Sequence, residues 1–213
     1  MLIAMANGKG GCAKSTTSVH LVHWLHNRGK KVALIDADVQ ATSSMWANAL
    51  GLEGVRVESI DPDPDALLDI AAELKNEFDY VVIDGPGGMT EVVRAALLVC
   101  DLAVLPIQAT GPDVRAAGDA LKLLKRCRDI RGGVPDAVTF LTRVNKRTKA
   151  YAGARGALEA NPVCPCLKGM ITARQVIADG YNAGQTAFSH GTGPGLEAAK
   201  EFDDLFKELL PDA

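Results

Sequence analysis

Apolar residues come in short continuous runs, each broken by a polar cluster. Leu2 to Ala6 stops at Asn7-Gly8, Val32 to Ile35 at Asp36-Ala37-Asp38, and Tyr80 to Ile83 at Asp84-Gly85-Pro86-Gly87-Gly88. Leu102 to Ile107 and Val138 to Leu141 end the same way, the latter at Thr142-Arg143. Short runs without alternation predict parallel strands buried on both faces. Helical spacing lies between them: Lys14 to Arg28, closed by Gly29, then Pro64 to Asn76, Glu91 to Val99, Val114 to Arg128, Ala150 to Glu159 and Leu196 to Leu210. Strands alternating with helices predict the α/β class, a doubly wound, mostly parallel sheet with helices on both faces. No repeat, low-complexity stretch or linker interrupts the pattern. Pro162 to Pro165 reads as a local turn, and residues 1–213 as one nucleotide-binding domain. Such sheets bind ligands at the carboxyl ends of their strands, where the polar clusters fall.

Composition narrows the classes. With 47% hydrophobic and 23% charged residues, wholesale disorder is excluded; aromatics at 5% imply a core of aliphatic side chains and alanine. The net charge of -3 hides an asymmetry: Lys122 to Arg155 holds ten Lys/Arg against two Asp/Glu, a local +8 that leaves -11 for the rest. That segment is read either as a solvated helix face or as a patch for a polyanion. Cys12, Cys100, Cys127, Cys164 and Cys166 form no even framework and no signal-peptide pattern opens the sequence, which points to a reducing cytoplasm. No apolar run approaches the roughly 20 residues that span a bilayer.

The first polar cluster carries specific chemistry. Gly8, Lys9, Gly10, Gly11, Cys12, Ala13, Lys14, Ser15 and Thr16 follow a strand and open a helix, the context of a phosphate-binding loop. Glycines let successive N–H groups curl around an anion, and the helix dipole adds to the attraction. Lys14 is placed to reach the β- and γ-phosphates and Ser15 to ligate Mg²⁺.

Lys9-Gly10-Gly11-Cys12-Ala13-Lys14-Ser15 resembles the deviant Walker A motif of the ParA/MinD superfamily of P-loop ATPases, and the compact ParA/ParF-like partition ATPases in particular, since no helix-turn-helix segment precedes the loop. The resemblance implies ATP and Mg²⁺ as ligands. It makes Lys9 the signature lysine, which in the family crosses a nucleotide-sandwich homodimer to the partner's phosphates. Lys9, Lys14 and Asp38 are then the catalytic set. Asp38, 24 residues after Lys14, matches the carboxylate that orients the attacking water; Asp36 and Asp84 match those that hold the waters of Mg²⁺. Gly87 falls in the segment that senses the γ-phosphate. Two departures stand out. Ala13 replaces a glycine and is comfortable only at negative φ, a change expected to be tolerated. Val39 replaces a proline, expected to loosen that switch.

In the distal half, Leu105-Pro106-Ile107-Gln108 with Pro112-Asp113 also matches the family, and Arg143 and Asn145 match residues near the adenine or the dimer interface. The resemblance implies ATP-dependent, non-specific DNA binding, with Arg143, Lys146, Arg147, Lys149, Arg155 and Arg174 as candidate phosphate contacts. It further implies nucleoid association and a ParB-like or other cargo adaptor that stimulates hydrolysis. Two alternatives belong to the same fold: a MinD-like ATPase on membranes, and an iron–sulfur carrier or reductase. The last helix, net -3 over Leu196 to Leu210, is repelled by anionic lipid and is expected to pack on the domain through one apolar stripe, so no membrane partner is expected.

Three further features read as secondary. His20, His23 and His26 share a helix face expected to be solvated or half-buried. Cys164-Pro165-Cys166 does not fit the spacing of a cluster site. Cys12, at a helix N-terminus beside lysines, is expected to favour its thiolate and to be open to alkylation.

Overall fold

The computed structural model describes every residue except 89 and 162. Its seven strands form one parallel sheet in the order β3-β2-β4-β1-β5-β6-β7. They are β1 (Leu2–Met5), β2 (Val32–Asp36), β3 (Arg56–Ser59), β4 (Tyr80–Asp84), β5 (Leu102–Gln108), β6 (Asp136–Val144) and β7 (Cys166–Thr172). The helices are α1 (Lys14–His26), α2 (Thr42–Leu50), α3 (Pro64–Glu77), α4 (Glu91–Val99), α5 (Gly111–Ile130), α6 (Lys149–Glu159), α7 (Gln175–Ala183) and α8 (Gly193–Leu209).

The apolar runs form the central strands, and the pleat sorts their side chains. Leu2 and Ala4 of β1, Ala33 and Ile35 of β2, and Val81 and Ile83 of β4 enter the core under α3, α4 and α5. Ile3 and Met5, Val32 and Leu34, and Val82 face the opposite core with α1 and α8. Successive side chains of a strand alternate between faces, so a run apolar at every position serves two cores at once.

Two strands and two helices carry no such run. β3 and β7 are the sheet edges, where Ser59 and Lys168 are exposed and Arg56, Glu58 and Thr172 half-buried. α2 and α7 are nine residues each; α2 buries Ser43, Ser44, Trp46 and Ala47, and α7 buries Gly180. α5 begins three residues earlier than the periodicity implies, because Thr110 caps it by accepting from the Asp113 N–H and Pro112 occupies its first turn. Of the turn expected over 162–165, Pro162 lies outside the described residues.

β7 is closed at its free edge by α8. Glu208 accepts from the Lys168 and Gly169 N–H groups at 2.9 Å each, and Glu201 accepts from the Thr172 N–H at 2.9 Å. Carboxylates thus satisfy donors that an edge strand otherwise exposes. The helix comes so close that a Cβ on Gly169 would lie 2.8 Å from the Leu205 Cα. Of the apolar stripe expected on α8, Phe202, Leu205, Phe206, Leu209 and Leu210 are buried, whereas Leu196, in the first turn, is exposed.

The histidine face differs from expectation. His20 is fully buried and His23 nearly so. His20 Nδ1–H donates to the Thr16 carbonyl (2.7 Å), its Nε2 accepts from the Ala187 N–H (3.1 Å), and its ring stacks on Phe202 with centroids 4.0 Å apart. His23 Nδ1 pairs with the Thr186 hydroxyl at 2.7 Å. These histidines dock the 186–189 segment onto α1. Burial pushes the His20 pKa down to about 3, the Thr16 carbonyl opposing and His23 adding to the shift. A depressed histidine pKa contributes stability that is fully present above the unfolded value near 6.5 and is lost as pH falls toward the folded value. The stability advantage of the wild type over His20→Gln is expected to shrink by about 1.6 kcal/mol between pH 6.5 and 5. Urea unfolding at both pH values reads it; a pH-independent difference contradicts the neutral, buried His20.

Candidate active site

The loop after β1 is held open from below. Gln108, ending β5, donates to the Gly11 carbonyl (2.6 Å), and Thr142, two residues before the end of β6, donates to the Cys12 carbonyl (3.1 Å). In a trans peptide the C=O and the following N–H point opposite ways. Tying those two carbonyls down therefore turns the Cys12 and Ala13 N–H groups to the other side. Among the described residues, no N–H of residues 10–16 has a protein oxygen as acceptor. α3, α4, α5 and α6 each have a side chain capping the N-terminus; α1 has none and carries no acid in its first turn. A concave row of open donors at a helix start, with Lys14 buried beneath it, is an anion site.

Ala13 sits at φ 74°, in the left-handed region, against the preference of alanine for negative φ. The turn into α1 requires that conformation, at a cost of roughly 1–2 kcal/mol for a residue with a Cβ. Cys12 also departs from expectation. Its side chain is fully buried, its Sγ–H donates to the Lys9 carbonyl at 3.3 Å, and burial raises its pKa despite nearby Lys14. The thiol closes the loop turn and is not a thiolate open to reagents.

Adjacent strands bring two carboxylates together. Asp36 and Asp84 are register partners on β2 and β4, and both are fully buried. Asp36 Oδ1 accepts from the Asp38 N–H (3.1 Å) and Oδ2 from the Ser44 N–H (2.8 Å). Asp84 Oδ1 accepts from Ser18 at 3.2 Å, while Oδ2 and the nearby Ser43 hydroxyl have no partner among the described residues. Burial raises the Asp84 pKa to about 6; the Ser15 hydroxyl opposes the shift and the Asp36 charge adds to it. An unsatisfied buried carboxylate oxygen beside a second carboxylate and serine hydroxyls is a donor set for a hard cation that keeps its waters, which fits Mg²⁺. Ser15, Asp36 and Asp84 would hold it, and the ion would neutralise phosphate charge. Asp38 lies at the rim, half-buried, its Oδ1 accepting from the Gln40 N–H at 3.0 Å. Gly87 lies against the phosphate loop; a Cβ there would sit 3.5 Å from the Gly10 Cα.

Lys9 is tied within its own chain. Its Nζ lies 2.7 Å from Asp113 Oδ1 at the start of α5, with the lysine side chain 46% exposed and the aspartate nearly buried. Burial opposes ionisation of Asp113, but the Lys9 ammonium and the Thr110 hydroxyl hold its pKa below the usual value.

Beside the phosphate loop lies a cleft of about 540 Å³, large enough for a nucleoside. Thr16, Thr142 and Arg143 line one part and Thr172, Arg174 and Gln175 another, over a floor of Trp46, Ile177, Tyr181 and Phe202. Arg143 holds a strained φ of 49°. Asn145 turns into its own loop, accepting from the Arg147 N–H.

The basic segment separates in space. α5 is about 30 Å long at 1.5 Å per residue. Lys125 and Arg128 flank Gly132 and Gly133 at its far end, whereas Arg143, Lys146, Arg147 and Lys149 lie exposed at the carboxyl end of the sheet. Arg155 is engaged by Glu159 and the Leu167 carbonyl, and Arg174 by Glu197 and Glu201. Cys164 is buried, and burial pushes its pKa up to about 12. Among the described residues, no group of three or more His, Cys, Asp or Glu side chains could hold a metal ion, and no helix is long and apolar enough to cross a membrane. In the sequence Gln108 and Thr142 show only as members of longer motifs; their roles need the strand order that places them under the loop.

Relieving the strain at residue 13 tests the loop geometry. Ala13→Gly is expected to raise stability by about 0.5–1 kcal/mol, the left-handed penalty removed exceeding the added flexibility of the unfolded chain. Equilibrium denaturation reads it. The loss of about 1 kcal/mol usual for Ala→Gly at a helical position contradicts the left-handed assignment.

The family described as the CobQ/CobB/MinD/ParA nucleotide binding domain matches residues 3–186. The chain is 26% identical, over 214 aligned residues, to the maintenance of carboxysome distribution protein A of Halothiobacillus neapolitanus, covering 98% of this chain and 96% of that one. It is 28% identical, over 245, to the chromosome-partitioning ATPase Soj of Thermus thermophilus, covering 99% and 97%. An ATP complex of a McdA variant from Cyanothece shares the fold, with a TM-score of 0.80 at 18% identity over 98% of this chain and 95% of that one. Because the family match runs through both buried carboxylates and the phosphate loop, the chain belongs to the CobQ/CobB/MinD/ParA family, as an ATPase of the ParA/MinD superfamily that uses ATP and Mg²⁺.

Proposed function

We propose that this chain, acting as one nucleotide-binding domain, is an ATP-gated positioning ATPase. ATP joins two copies face to face, the dimer rides on DNA without sequence specificity, and a ParB-like or other cargo-bound adaptor stimulates hydrolysis and release. The observation that carries the reading is Lys9. It belongs to the phosphate loop, yet its ammonium rests on Asp113 with nearly half the side chain open to solvent. A second cation in the loop, beyond Lys14, suits a role in trans against charge developing on the partner's phosphoryl group, as an arginine finger does. The in-cis ion pair is then the resting position of Lys9, and dimerisation exchanges Asp113 for phosphate.

Lys14 holds the β- and γ-phosphates, and the loop N–H groups cradle them. Asp38 leaves its contact with the Gln40 N–H to orient the attacking water. Ser15, Asp36 and Asp84 position the metal and its waters. The relatives named for chromosome partitioning and for carboxysome distribution support a positioning role, and DNA riding would set it at the nucleoid in the cytoplasm. Arg143, Lys146, Arg147 and Lys149, exposed at the carboxyl end of the sheet, are the DNA contacts that this reading favours; Arg155 and Arg174 already have carboxylate partners. The buried stripe of α8 favours DNA over a membrane as the surface.

Anisotropy of a labelled random-sequence duplex with Mg²⁺ and either ATP or ADP tests the proposal. Salt-sensitive binding is expected with ATP only. Arg147→Glu/Lys149→Glu is expected to weaken it at least about tenfold and to lower the salt slope by roughly 2. Equal binding in both nucleotide states, or an unaffected double variant, contradicts the gate or the assigned surface.

A further inference from the structure

One wall of the cleft is built by a residue far away in sequence. Glu201, on α8, accepts from the Thr172 N–H (2.9 Å), from the Thr172 hydroxyl (2.9 Å) and from Arg174 Nη2 (3.0 Å). Thr172 and Arg174 both line the cleft, and the chain between β7 and α7 has few other ties: the Ala173 N–H donates to the Val144 carbonyl. Arg174 is also gripped by Glu197 at 2.7 Å, but Glu197 is largely exposed while Glu201 is mostly covered. The guanidinium keeps one buried donor, Nε, with no partner among the described residues. Phe202, next in sequence, forms part of the floor and stacks on His20, whose Nδ1–H holds the carbonyl of Thr16 in α1. One turn of α8 therefore touches both the wall and the floor of the cleft.

We propose that Glu201 is a positioning residue for nucleotide binding: it fixes residues 172–174 as the wall against which the nucleoside packs, without touching the phosphates. The inference rests on the reading that the cleft takes the nucleoside of a nucleotide whose phosphates lie on the loop. Three charge-assisted hydrogen bonds converge on one carboxylate, so its loss frees the Thr172 backbone and the Arg174 guanidinium together. The effect falls on the nucleoside half of the ligand, because the phosphate loop is held separately by Gln108 and Thr142. Glu208 supplies the control. It binds the Lys168 and Gly169 N–H groups with the same chemistry on the same strand, and neither residue lines the cleft.

The test is calorimetric titration of the full chain with Mg²⁺-ADP and, separately, with Mg²⁺-pyrophosphate. Glu201→Gln is expected to weaken ADP about tenfold and to leave pyrophosphate within about twofold of wild type, on the scale of one lost charge-assisted hydrogen bond. Glu208→Gln is expected to change neither. Thr172→Val, which removes one donor from the other side of the network, is expected to reproduce the split and covers the case of a Glu201 variant that folds poorly. ADP affinity unchanged in both Glu201→Gln and Thr172→Val overturns the inference. So does equal weakening of ADP and pyrophosphate, or an equal effect from Glu208→Gln. A wild type that binds neither ligand overturns the nucleotide reading beneath it, and one that binds pyrophosphate as tightly as ADP overturns the placement of the nucleoside.

Discussion

Two hydrogen bonds from strand ends to loop carbonyls set up everything else at this site. Gln108 and Thr142 hold the Gly11 and Cys12 carbonyls away from the ligand side, and the loop then presents N–H groups that have no other use. Such a surface is unfavourable unless water or an anion covers it, because unmatched donors cost far more than matched ones return. The loop accepts further strain: Ala13 is left-handed, and Lys14 is buried without a carboxylate partner among the described residues. Strain of this kind persists only where surrounding structure over-determines it. Here the determining structure is the order β1-β5-β6, which places the two donors directly beside the loop.

The same logic governs charge. Asp36 and Asp84 are register partners in the buried ends of neighbouring strands; burial raises the Asp84 pKa, and the Asp36 charge adds to the shift. Buried Lys14 and the two buried carboxylates are charges that phosphate and a cation would balance. Lys9 is the exception. It is balanced inside its own chain by Asp113, so it can be withdrawn without leaving the phosphate loop short of a cation. A site whose charges balance only with ligand bound, flanked by one cation balanced without it, has the parts of a nucleotide-operated switch.

Much of this was legible from the residues alone. The central strands show as unbroken apolar runs because both faces are covered, and the chemistry announces itself at their ends: Gly8 to Thr16, Asp36, Asp84 and Thr142. Edge strands β3 and β7 escaped because one side meets solvent or α8, which allows Arg56, Glu58 and Lys168 in positions that break a run. α2 opens on Thr-Ser-Ser and α7 contains Gly180, so neither has the periodicity of a long helix. Cys12 misled because its position at a helix start suggests a thiolate, whereas the fold buries the sulfur and burial outweighs the helix and the lysine. His20 and His23 misled for the converse reason. Polar side chains on a helix face look solvated until a segment more than 160 residues away supplies their partners. The +8 segment is continuous in sequence but divided by the length of α5, a separation that charge counting does not register.

The most direct measurement is the Mg²⁺-ATP affinity of a Gln108→Ala/Thr142→Val double variant, by calorimetry, beside its unfolding midpoint. With both ties gone the loop carbonyls are free to turn toward the phosphates. Affinity is expected to fall at least about tenfold while the fold, carried by the two cores on either side of the sheet, persists. ATP affinity equal to that of the wild type, in a variant that melts normally, would contradict the claim that these two strand-end donors create the anion site.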